Sequence, residues 1–175
     1  MRNVNTSWIA IGLLVLAGEA AGQGMYGDKK YGEYYEEDKQ WVEQEAAPPA
    51  WPGEQTLIEF NAGPVTRNRY YIDAATLSVG ADRVVRYVIV IKTSGGATNI
   101  SYEGIRCDSG ERKAYAFGRN DMTWANARTS SWQPIVRPSY QAVLSREYFC
   151  PNGVAIMEAK EGVFALRRGG HPDAK

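Results

Sequence analysis

The sequence predicts an α+β fold, an antiparallel β-meander sheet with C-terminal helices packed on it and one disulfide. Three observations carry this expectation. Val84–Thr93, V-V-R-Y-V-I-V-I-K-T, is a long β-branched run with apolar residues on both faces, the mark of a central, doubly covered strand. Two further strand-like runs follow it across short Gly-containing turns, Ser94-Gly95-Gly96-Ala97 and Asp108-Ser109-Gly110. Only beyond Asn120 does the apolar spacing lengthen to that of amphipathic helices.

The elements follow in chain order. Residues 1–22 read as an export signal: Arg2, then the apolar run Trp8–Ala17, then small residues. Ala20 and Gly22 occupy the −3 and −1 positions of a cut before Gln23. The apolar run is shorter than the roughly 20 residues that span a bilayer. The expectation is therefore a periplasmic or secreted protein with no transmembrane segment in the mature chain.

Residues 23–54 are acidic and Tyr-rich, with Y-G-D-K-K-Y-G-E-Y-Y-E-E-D-K at their core. They show no period of 2 or 3.6 and few aliphatic residues, so they read as a mostly disordered linker. The chain holds 20 basic and 20 acidic side chains, but they are not evenly spread. Between Tyr26 and Glu54, eight acids stand against three lysines, and the following segment is correspondingly basic. The acidic stretch is thus one candidate partner for the basic domain.

Residues 55–170 form the folded domain. Leu57–Phe60 and Arg69–Ile72 are short strands, and Asp73–Asp82 turns the chain before the long strand at Val84. In Thr98–Cys107 the apolar residues change parity: Ile100 and Tyr102 share one face, Ile105 and Cys107 the other. One extra residue at Glu103-Gly104 restores a single face, so a β-bulge at Gly104 is expected, with Ile105 opposite Tyr87. Glu111–Arg119 is the third strand, with Tyr115 and Phe117 on one face. Asp121–Pro134 is a polar connection. Pro138 and Ser139 open a helix to Phe149, stopped by Cys150, Pro151 and Gly153. A last amphipathic helix covers Ala159–Arg168. Residues 171–175 read as a disordered tail.

In an exported chain the two cysteines, Cys107 and Cys150, are expected to pair. The bond closes a loop of about 43 residues, worth roughly 4 kcal/mol in the chain-entropy model.

Several runs carry a resemblance. A-D-R-V-V-R-Y-V-I-V (Ala81–Val90), S-G-G-A-T-N-I-S-Y-E-G-I-R-C (Ser94–Cys107) and A-Y-A-F-G-R (Ala114–Arg119) look like the CNP-one-like family of exported Gram-negative bacterial proteins. The flanks W-V-E-Q-E (Trp41–Glu45), W-Q-P-I (Trp132–Ile135) and Y-F-C-P (Tyr148–Pro151) agree. The resemblance brings no catalytic residue or ligand with it. In layout alone the chain is also similar to the adhesin E family, which implies an antiparallel sheet backed by a helix.

The residue inventory removes several chemistries. The lone histidine, His171, sits behind Gly169-Gly170, which disfavours a Ser-His-Asp set. A three-histidine zinc site within one chain is excluded. No phosphate-cradling glycine motif follows a strand. No cofactor and no metal are expected. What remains is a carboxylate mechanism on Glu103 with Asp121 or Asp82, as in glycan cleavage. The plainer reading pairs Glu103 with Arg86, Arg106 or Arg119 on the sheet. Trp124 and Trp132 are candidates for stacking on a sugar or peptide, or for plugging the sheet. Arg86, Arg106 and Arg119, with their basic neighbours, suggest an anion-attracting face. The expected partners are an envelope protein or an anionic glycan or lipid surface, and not nucleic acid. The functional expectation is a non-enzymatic binding or structural module of the envelope, with a glycan-acting enzyme as the alternative.

Overall fold

A computed structural model describes residues 40–63 and 67–174. The expected signal segment and residues 23–39 of the expected linker lie outside them. The fold belongs to the unit Trp41–Lys175.

Its strands are β1 (Leu57–Phe60), β2 (Arg69–Asp73), β3 (Ser78–Val79), β4 (Val84–Lys92), β5 (Thr98–Arg106), β6 (Glu111–Gly118), β7 (Trp124–Asn126) and β8 (Gln133–Pro134). All pairings are antiparallel, in the order β1-β2-β4-β5-β6-β7, with β3 beside β4 and β8 beside β6. The α+β expectation is met, and β4 is central, lying between β2 and β5.

The inner face is covered by the C-terminal segment. Val85, Tyr87 and Ile89 of β4, Ile105 of β5 and Ile72 of β2 pack with Leu144, Phe149 and Leu166, and all are buried. Each such side chain contributes about 1.5–3 kcal/mol of transfer free energy. Ser139 caps α1 (Tyr140–Val143), its hydroxyl accepting from the Ala142 N–H. The helix then widens into a π turn over Leu144–Phe149, where the Cys150 N–H reaches back to the Ser145 carbonyl. Sequence spacing gave the segment's ends but not this change of winding. α2 (Ala159–Arg168) ends at Gly169, whose φ of 84° supplies the left-handed stop. Cys107 and Cys150 are bonded, joining the chain just after β5 to the end of the π turn.

Two expectations about register are corrected. β5 pairs with β4 without interruption, so Ile105 lies opposite Val85 and Glu103 opposite Tyr87. The irregularity falls instead between β5 and β6, where Tyr102 faces Ala116 and Glu103 faces Ala114. The extra residue is Tyr115 of β6, which joins Ala116 on the outer face rather than Phe117. Gly104 is still required there. A Cβ on it would meet the Tyr115 hydroxyl at 2.9 Å and Val84 Cγ1 at 3.0 Å. The parity change in β5 is real, because both faces of the sheet are covered.

The cover of the outer face is a further correction. Residues 41–54, assigned by composition to the linker, run over the sheet instead. Ala46 packs on the cluster of Val88, Tyr102 and Ala116, and Trp51 stacks on Trp124 at 5.2 Å between centroids. The end of the chain differs too. The His171 N–H donates to the Glu147 carbonyl, and its buried ring lies 3.0 Å from Glu161. His171 is therefore packed against the helical segment and does not belong to a disordered tail.

Candidate functional site

The strap of residues 41–54 meets the predicted binding residues on the outer face. Glu43 accepts from Lys113 Nζ at 2.8 Å, the Tyr115 hydroxyl at 2.9 Å and the Trp132 indole at 3.1 Å. Burial raises the Glu43 pKa, but these donors outweigh it and hold the carboxyl below its ordinary value. Trp41 stands edge-on to Trp132, and the Arg106 guanidinium lies over the Trp41 ring, 4.0 Å from its centroid. The Trp124 indole donates to the Pro49 carbonyl. Both tryptophans singled out for ligand stacking thus have their rings and N–H groups engaged by the strap.

The basic face is similarly occupied. Arg86 is buried and forks onto Asp82 at 3.0 and 2.6 Å, with a further bond to the Gln44 carbonyl. Asp82 is pushed up by burial, but Arg86 and the Gln44 and Val84 N–H groups bring its pKa below the usual aspartate value. Arg106 pairs with Asp108 and Glu111. Arg119 is exposed near Asp121, which is itself exposed and holds the Thr123 N–H and hydroxyl in a turn.

Glu103 departs from both readings. It pairs with none of Arg86, Arg106 or Arg119. It is buried on the inner face, where it accepts from Ser101 Oγ at 2.6 Å, Tyr140 Oη at 2.7 Å, Tyr87 Oη at 3.2 Å and Gln141 Nε2 at 3.4 Å. Burial, then the Glu103 charge, pushes the Tyr87 and Tyr140 hydroxyls far above the usual phenol range, so both stay protonated donors. Asp82 pairs with Arg86 on the other side of the sheet. The carboxylate pair needed for glycan cleavage is therefore not assembled on Glu103 and Asp82.

A cleft of about 400 Å³ lies between the β1–β2 connection and the start of the helical segment. Small-ligand sites span roughly 300–1,000 Å³. Ala62 and Tyr70 line one side, and Ala142 and Val143 line the other. Two exposed arginines, Arg137 and Arg146, contribute to the lining. Arg137 makes no ion pair among the described residues, whereas Arg146 meets Glu147 at 2.6 Å. The Tyr140 ring packs against Tyr70 at 5.4 Å between centroids, and its hydroxyl is held by Glu103. Glu103 thus positions one aromatic wall of the cleft without lining it.

These cleft residues were not singled out by sequence. Arg137-Pro138-Ser139-Tyr140 reads as a helix start, and the stripe of Tyr140, Val143, Leu144 and Tyr148 turns Tyr140 and Val143 toward the sheet without marking a cleft.

No helix among the described residues is long and apolar enough to cross a membrane. Searches of curated proteins and of solved structures gave no match. The sequence model of the CNP1-like family matches residues 36–167, a span that includes the strap, every strand and most of α2. The chain therefore belongs to the CNP1-like family.

Proposed function

We propose that this protein is an exported binding module of the cell envelope that holds its ligand in the cleft beside α1. The observation carrying this reading is the cleft itself, an apolar-lined space of about 400 Å³ with two arginines and, among the described residues, no acidic side chain in its lining. Its walls are fixed from behind: Tyr140 by Glu103, and the segment's end by the Cys107–Cys150 bond. The apolar run and small residues before Gln23 support export, and the paired cysteines accord with an oxidising compartment.

Two measurements test the reading. N-terminal sequencing of the protein from the periplasmic fraction is expected to begin at Gln23; an intact Met1 in the cytoplasm argues against export. Native mass spectrometry of protein purified from the envelope is expected to show a bound small molecule. Val143→Trp fills the cleft and is expected to remove it. A bound mass unchanged in that variant moves the site elsewhere.

A further inference from the structure

We infer that the cleft takes a single-chain carboxylate amphiphile, its head on Arg137 and its tail along Ala62, Tyr70, Ala142 and Val143. This rests on the cleft being the ligand site and adds the class of ligand. Four features point the same way.

The walls named for the tail are alkyl groups and an aromatic ring, surfaces that favour an apolar chain by burial. Two hydroxyls of the lining that a sugar or peptide would use are already engaged: that of Tyr140 donates to Glu103 behind the wall, and that of Ser139 accepts from the Ala142 N–H. The charge is cationic: Arg137 and Arg146 line the space, and no Asp or Glu does among the described residues. Arg146 shares its guanidinium with Glu147, so among the described residues Arg137 is the cleft arginine without an ion pair, and one such cation matches a monoanion. A planar guanidinium fork receives a carboxylate through two parallel bonds. Finally, a volume of about 400 Å³ is near the lower end for small-ligand sites, which suits one chain rather than two.

The test titrates the full exported chain with dodecanoate, below its micelle concentration, by calorimetry. The comparison probes are dodecanol, dodecyl phosphate and dodecyltrimethylammonium. One dodecanoate per chain is expected, with dodecanol about tenfold weaker and the ammonium probe unbound. Arg137→Ala is expected to weaken dodecanoate about tenfold and leave dodecanol unchanged, and Val143→Trp to abolish both. Arg137 is exposed, so this variant is expected to keep the parent's urea midpoint. Equal affinity for dodecanol and dodecanoate, tighter dodecyl phosphate, or an indifferent Arg137→Ala each overturns the assignment. If no probe binds but Val143→Trp still strips a co-purified molecule, the ligand class is wrong and the cleft stands as the site. If no probe binds and no molecule co-purifies, both readings fall.

Discussion

Glu103 is the side chain whose surroundings most change its meaning. A carboxyl in the middle of a strand, beside arginines in sequence, reads as a surface ion pair or a catalytic acid. Its place on the inner face of β5 makes it the acceptor for four donors from three elements. Replacing it by Gln keeps the volume but sets an NH2 group against hydroxyl and amide donors. Glu103→Gln is therefore expected to lower unfolding free energy by about 1–3 kcal/mol, the cost of unmet buried polar groups, as read by urea denaturation. Because Tyr140 loses its anchor, ligand affinity at the cleft is expected to fall in the same variant, although Glu103 does not touch the cleft. The Arg86–Asp82 pair behaves differently. Both side chains are almost fully covered, so removing either leaves a buried charge alone. Arg86→Met is expected to cost about 3–5 kcal/mol in the same measurement.

The strap is the element that composition misreads. Residues 41–54 carry few aliphatic side chains, and aliphatic periodicity is what marks a segment as part of a core. They bind through Trp41, Glu43, Ala46 and Trp51, which pair with residues far along the chain and leave no local pattern. The parity switch in β5 was the visible sign of a covered outer face. Reading it as a bulge assumed that only one face was buried. Regular elements were legible where burial and period coincide: β4 and α2 fall where the sequence put them. The cleft was not legible, because its walls come from β2, a loop and α1, and no single segment records their approach. The strap also predicts an acid sensitivity. Glu43 and Asp82 have folded-state pKa values below their ordinary 4.5 and 3.8, so the folded state binds fewer protons than the unfolded chain. Their stabilisation is complete above about pH 4.5 and is lost as pH falls through the lowered values. Tryptophan fluorescence followed from pH 6 down to about pH 2 is expected to report loss of the strap, and Glu43→Gln to flatten the part that Glu43 contributes.

At the scale of the whole molecule, a two-faced sheet depends on covers from both ends of the chain. The C-terminal cover is bonded covalently and the N-terminal cover is not. Cys107 and Cys150 are 43 residues apart, and closing such a loop is worth about 4 kcal/mol. Reduction is expected to lower the unfolding free energy by that amount and to loosen the helical segment, which forms one wall of the cleft. Calorimetry of the reduced protein checks it: an unchanged Tm would assign the bond no stabilising role. The opposed charges of the sequence take on a spatial meaning as well. Glu43 meets Lys113 and Glu54 meets Lys92, so part of the acidic excess neutralises the sheet within the chain.

The strap also sets an order of assembly. Glu43 is made early, yet its partners Lys113 and Trp132 follow 70 and 89 residues later. Until they arrive, the strap lacks the partners that hold it over Val88 and Tyr102, so a segment made before the sheet can be seated only after it. Contacts of such long separation slow folding and prolong the exposure of apolar sheet. A chain halted before Trp132 is thus left with an open face, which is where a chaperone has most to hold.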